Sequence, residues 1–194
     1  MNGRPKTFDD HSIIEKAQRV FWKKGYASTS TDELLVAMGI GRGSFYLAFK
    51  DGKKELFLKT IRQFHNEGIN KLKADINASD NAVEIVREFF NTIAKSKTDR
   101  HLNGCFIGNT LVEMASQDED IREEAIAILK ELEQVFYKAI LTGQKSGQLK
   151  TKTDARLLAR QLITIWNGLN VTRRMYPSHT ILKSLIETQL QILI

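Results

Sequence analysis

"STSTDELLVAMGIGRGSFYLAF", residues 28–49, places two short apolar-periodic runs on either side of a glycine-rich corner. The first opens on a capping box: the Ser30 hydroxyl can accept from the Glu33 amide while the Glu33 carboxylate reaches back to Ser30. It stops at Gly39, a residue that takes the left-handed conformation a helix end requires. The second run is predicted from about Arg42 to Phe49. Two short helices joined by a tight turn are the plan of a helix-turn-helix, whose second helix enters the DNA major groove.

On that plan Leu34, Ala37, Ile40, Phe45 and Phe49 pack the pair onto a preceding helix. Arg42, Gly43, Ser44, Tyr46 and Leu47 are left nearest the outer surface. An arginine there can hold guanine bidentately, for about 1–3 kcal/mol of discrimination. Gly43 lets the backbone approach closely. Ser44, the Tyr46 hydroxyl and Lys53 are placed for phosphates, which fix register without reading sequence. Ser30 and Thr31 complete the expected DNA contacts. Spacing alone leaves an alternative: an ordinary helical, dimerising interaction protein with only non-specific DNA affinity, in which Tyr46 is core.

Outward from this stretch the apolar period stays helical. "HSIIEKAQRVFWKKGY" puts Ile14, Ala17, Val20 and Phe21 on one stripe and stops at Gly25. A longer helix is expected over about 53–74, with others near 80–96, 104–116, 119–144, 154–174 and 179–193. The polar, glycine-bearing "TGQKSGQLKTKTD" marks a loop. The expectation is an all-α chain of about nine helices, with a DNA-binding head over 1–52 and an effector-binding and dimerisation domain over 53–194.

Charge agrees with a polyanion partner. The 194 residues carry a formal net charge of +6, and residues 1–60 hold 11 Lys and Arg against 7 Asp and Glu. The excess is concentrated at the end that carries the short helices. One cysteine allows no internal disulfide. With no apolar leader and no long apolar run, the expected location is cytoplasmic and away from the membrane. No phosphate loop, four-ligand metal cluster or triad with local context is present, so neither an enzyme nor a cofactor is expected.

The ordered string from Phe21 to Phe57 resembles the N-terminal domain of the TetR/AcrR family of one-component bacterial regulators. Ala17 and Phe21 match the family's first-helix core, Gly25 and Tyr26 its Gly-Tyr turn, and Gly39 its turn glycine. Gly43, Ser44, Tyr46 and Phe49 match its recognition helix, and Lys53 the lysine that opens its fourth helix. The step from Phe49 to Lys53 is one residue longer than usual, through "KDG". The resemblance implies an all-α homodimer that represses from a near-palindromic operator and is released by a small-molecule, electrophile or oxidant effector. It also implies that the helices at 154–174 and 179–193 form the dimer interface, where their apolar arc is wider than one packed face needs. Arg4 and Lys6 are candidates for added backbone or minor-groove contacts.

For the effector pocket the candidates are Phe64, Phe89, Phe90, Ile93, Cys105, Phe106, Asn109, Glu113, Phe136 and Trp166, with Ile85, Leu111, Met114 and Asn167 beside them. Plain core packing is the competing description. Cys105 opens a helix in "HLNGCFIGNTLVEM", where amide dipoles favour the thiolate. The Gly-Cys start resembles a branch of the family with cysteine sensors, and an inert buried thiol is the alternative. His101, four residues earlier, could join Cys105 on a soft metal, but two ligands without a third make no site.

Overall fold

A computed structural model describes residues 10–96 and 98–194; Arg4 and Lys6 lie outside the described residues. Ten α-helices and a closing 3-10 turn make up its regular structure. The first three are α1 (Asp10–Lys24), α2 (Thr31–Met38) and α3 (Arg42–Ala48). They are followed by the 26-residue α4 (Gly52–Asn77), then α5 (Ala82–Ala94), α6 (Thr98–Asn103) and α7 (Phe106–Met114). The chain ends with α8 (Glu119–Ser146), α9 (Ala155–Met175), α10 (His179–Gln189) and the 3-10 turn Leu190–Leu193. The all-α expectation holds, and its boundaries fall within a few residues; α6 is the helix it did not contain.

The capping box at α2 forms as read: Glu33 N donates to Ser30 Oγ at 3.2 Å, and Ser30 N donates to the Glu33 carboxylate at 3.0 Å. Lys24 adds an ion pair, and these bonds hold the Glu33 carboxyl down to about 2. Gly39 closes α2 at φ 71°, its amide on the Leu35 and Val36 carbonyls. The short helices are thus fixed at both ends by local chemistry, and their packing face does the rest. Ile13, Ala17 and Phe21 of α1 meet Leu34, Met38, Phe45 and Phe49, all buried.

That core does not stop at residue 52. Leu56, Phe57 and Ile61 of α4 share it, and so do Phe106, Met114, Ile121 and Ile128 from α7 and α8. A second core joins the far end of α4 to α5, the C-terminal half of α8, α9 and α10, around Phe90, Phe136, Leu162 and Ile186. The head therefore rests directly on α7 and the start of α8, and α4 runs through both cores. Head and body thus share one buried apolar core, with no linker between them.

Candidate functional site

The outer face of the head is built by α3. Phe45 is its buried anchor, and the helix turns Arg42, Gly43, Ser44, Tyr46 and Leu47 to solvent. Leu47 is 82% exposed and Tyr46 48%, with the Tyr46 ring set edge-on to Phe45 at 5.1 Å. Val36 on α2, 83% exposed, joins this face and was not among the expected contacts. An exposed valine one turn before the corner is the only sequence signal it gives. The Arg42 guanidinium pairs with Asp32 across the turn. Both partners are exposed, so the pair contributes about 0–1 kcal/mol and can be exchanged for an outside acceptor. Ser30 is exposed and Thr31 half-buried at the start of α2.

Lys53, expected as a phosphate holder, is bonded within the head. Its ammonium donates to the Tyr26 carbonyl at 3.1 Å and the Thr29 carbonyl at 3.0 Å, and stands 4.3 Å from the Tyr26 ring centre. Two of its three N–H donors are thereby taken by the turn that joins α1 to α2. Lys54 is committed elsewhere, to Asp118 at 2.8 Å and Asp120 at 2.6 Å. Those bonds raise its pKa above the ordinary lysine value. Lys50 is exposed beyond the end of α3.

The same turn is gripped from the other side. Glu113, on α7, accepts from the Tyr26 amide at 3.0 Å and the Ala27 amide at 2.8 Å. Gly25 makes this possible twice over. Its φ is +83°, and a Cβ there would lie 2.8 Å from the Glu113 carboxylate. Beside this clasp the Asn103 carbonyl, at the end of α6, accepts from three side chains: Trp22 of α1, Asn109 of α7 and Arg174 of α9. Arg174 also donates to the Asn109 side-chain oxygen Oδ1 at 2.8 Å. Polar bonds from α6 and α7 thus reach the head, and Arg174 of α9 ties those two helices together behind it, alongside the shared apolar core.

Two cavities lie behind this junction. The larger, about 460 Å³, is walled by Cys105, Asn109, Glu113, Asn167, Asn170 and Arg174, among others. The smaller, about 160 Å³, is apolar, between Phe64, Leu72, Phe89, Ile128, Leu132 and Trp166. They meet at Cys105 and Leu129, which line both. Of the expected pocket residues, Phe64, Phe89 and Trp166 reach the smaller cavity, and Asn109 and Glu113 the larger. Phe106 lies under the head junction, edge-on to Phe57 and Phe64. Phe90, Ile93 and Phe136 line neither of these cavities; they are packed core, each 1% exposed or less. Leu111 and Asn167 line the larger cavity, whereas Met114 is buried in the head-side core and Ile85 packs against the second core.

Cys105 caps α7, its sulfur accepting from the Gly108 amide at 3.3 Å. The expected lowering by helix amides is present but loses to burial, which pushes the Cys105 thiol up. The resting group is a neutral thiol. His101 faces away from a shared metal role: its Nδ1 accepts from Arg173 Nε at 3.2 Å. Among the described residues no three His, Cys, Asp or Glu side chains gather as a metal site, and no helix is long and apolar enough to cross a membrane.

Two family profiles match the chain. The sequence profile of the bacterial regulatory proteins of the tetR family matches residues 13–60, and that of the tetracyclin repressor-like C-terminal domain matches 82–188. The chain is 30% identical to the HTH-type transcriptional repressor DhaR of Mycobacterium sp. (strain GP1), over 80% of this chain and 77% of DhaR. Its fold matches a cysteine mutant of the TetR family transcriptional regulator CifR complexed with a 26-base-pair double-strand operator DNA. That match has a TM-score of 0.84 at 26% identity and covers 99% of this chain and 100% of CifR. Reduced E. coli NemR gives the same TM-score, 0.84, over 95% of this chain and 96% of its own, at 16% identity, a likeness of fold alone.

Proposed function

Because the chain belongs to the TetR family of bacterial regulatory proteins, we propose that it is a cytoplasmic homodimeric repressor, released from a near-palindromic operator by a small molecule. The observation that carries this reading is the outer face of α3, where a seven-residue helix holds Tyr46 and Leu47 exposed around one buried anchor, Phe45. Exposed aromatic and aliphatic side chains beside Arg42 and Ser44 suit base edges, thymine methyls and phosphates. Val36 joins them from α2. Gly43, with nothing within 4 Å of a would-be Cβ, leaves room for a DNA backbone.

The second copy packs on α9 and α10 in this reading. Leu157, Val171, Met175 and Ile181 are exposed there, and Gly168 leaves open space in the middle of α9 where another helix can come close. A two-fold axis through this face sets two heads side by side, which is why the site is near-palindromic. The head comprises residues 1–52 and the effector and dimer domain residues 53–194.

Release runs through the junction. Glu113 is both a wall of the larger cavity and the acceptor for the head's turn, while Arg174 and Asn109, also on that wall, bond to the Asn103 carbonyl that holds Trp22 of α1. An occupant favouring a rearranged Glu113 favours a different head angle, and shifts the population away from the operator-binding form. The test is selection from a random duplex pool by the purified dimer. Enrichment of an inverted repeat is expected, and Arg42→Ala should lose affinity for that repeat while keeping its affinity for random duplex. Retention of any duplex, equally and with a steep salt dependence, would reduce the protein to a basic helical dimer.

A further inference from the structure

The smaller cavity has three properties that together specify what fits it. First, its size of about 160 Å³ is close to the ~150 Å³ apolar cavity that takes up benzene. Second, no unpaired charge faces it. The one ionisable ring on its wall, His65, is bonded to Glu131 at 2.8 Å, and Cys105 is a neutral thiol. An ion brought here would lose much of its hydration without a partner, at a cost of several kcal/mol, and Arg174 on the wall of the larger cavity is already bonded to the Leu102, Asn103 and Asn109 oxygens. Third, α4 places Gly68 on the wall, mid-helix, with nothing within 4 Å of a would-be Cβ. Glycine in a helix interior costs roughly 1 kcal/mol against alanine. Gly68 is exposed and no packing within the chain requires it, so its missing side chain leaves the rim of the cavity open to solvent.

One polar feature lies next door. The Asn167 amide oxygen is buried with no hydrogen-bond partner, on the wall of the larger cavity just past Cys105. A buried acceptor left unmet costs about 1–3 kcal/mol, which a ligand donor would recover.

We propose that the two cavities together take a small uncharged ring compound carrying one N–H or O–H, its ring between Phe64, Leu72 and Phe89 and its donor directed past Cys105 to Asn167. This deepens the effector reading and rests on it only for the consequence at DNA, not for the binding itself.

Indole, its isostere indene, which lacks the N–H, and indole-3-carboxylate are the probes. Binding to the free dimer is measured by calorimetry, and operator release by fluorescence anisotropy on the same samples. Indole should bind once per chain, indene about tenfold more weakly, and the carboxylate not at all. Asn167→Leu should bring indole and indene level. Gly68→Phe puts a ring over the cavity mouth on a better helix former, so it should fold and hold DNA but bind no probe. Absence of probe binding by a protein that still binds its operator overturns this inference and leaves the regulator reading intact. So does probe binding that Gly68→Phe does not change, equal binding of indole and indene by the wild type, or preference for the carboxylate. Gly68-dependent binding that leaves the operator complex unchanged upholds the ligand class and removes the cavity as the switch.

Discussion

On the outer side of the head, Arg42, Ser44, Tyr46 and Leu47 stand on a seven-residue helix and reach solvent. On the inner side, the turn at residues 25–29 has its amides on Glu113 and its carbonyls on Lys53. The outer groups have little to do inside the molecule, so changing them costs the fold almost nothing. The inner groups are partly shielded from water, where a lost charged hydrogen bond costs the fold directly. Exposed side chains and stabilising bonds thus fall on opposite sides of one three-helix unit, and on the proposed function the exposed side is the one that reads DNA. In the proposed release mechanism the signal crosses the side that carries stability.

The strongest way to break this contrast is Gly25→Ala. The methyl would meet the Glu113 carboxylate at 2.8 Å in a left-handed backbone conformation. Strain plus the loosened amide bonds should lower the unfolding free energy by about 2–4 kcal/mol, read by urea denaturation. In a Glu113→Ala background the obstacle is gone, so the same glycine change should cost only about 1 kcal/mol, a non-additive pair. Equal costs in both backgrounds would mean that Glu113 does not hold the turn.

Arg42→Ala probes the other side. It should cost about 1–3 kcal/mol in affinity for the selected operator. The unfolding free energy should change by less than about 0.5 kcal/mol, since the Asp32 pair is exposed. A stability loss as large as the affinity loss would erase the division between the two faces.

The two faces also differ in how far the sequence reveals them. The outer face follows from residues within a dozen positions of each other: Ser30 with Glu33, the stop at Gly39, and Phe45 with Phe49. Such local chemistry is readable one helix at a time. Glu113 lies 87 residues from Tyr26, and nothing near either announces the bond. Phe89 and Phe90 make the same point in the body. Adjacent aromatics on α5 point about 100° apart, so Phe89 stacks on Trp166 at 4.5 Å beside the cavity while Phe90 is core. An apolar arc this wide does not say which of the two faces a void. Cys105 shows the limit most clearly. Its helix-start position is visible locally and favours the thiolate, whereas burial, a sum over distant helices, decides the opposite.

Lys53→Met sharpens the comparison with a side chain that keeps the aliphatic stem and drops the ammonium. Loss of two carbonyl bonds and the Tyr26 contact should cost about 1–2 kcal/mol of stability. Affinity should fall by a similar factor for all duplexes, and the salt slope should drop by about one only where Lys53 also meets a phosphate. An unchanged slope with reduced stability would make Lys53 a positioning residue for the head, and Lys50 would be the next lysine to change.

The smallest expected effect concerns pH and the polar packing of α6 on α9, away from the outer face. Burial, and then the Arg173 guanidinium, hold the His101 pKa below its ordinary value, against a backbone hydrogen bond at Ser96 that works the other way. The folded chain therefore keeps this imidazole neutral, with Nδ1 accepting from Arg173. The unfolded chain protonates it near pH 6.5. Below that pH the unfolded state binds the extra proton, so the stabilising contribution is complete above about 6.5 and is lost as the pH falls through the depressed folded value. One group limits the slope to about 1.4 kcal/mol per pH unit. His101→Gln keeps an acceptor for Arg173 and removes the titration, so the variant should be flatter than the parent between pH 7 and pH 5 by urea denaturation. Parallel curves would place the acid sensitivity elsewhere. Operator affinity at pH 7 should match in parent and variant, because His101 contacts neither the turn held by Glu113 nor the exposed side of α3.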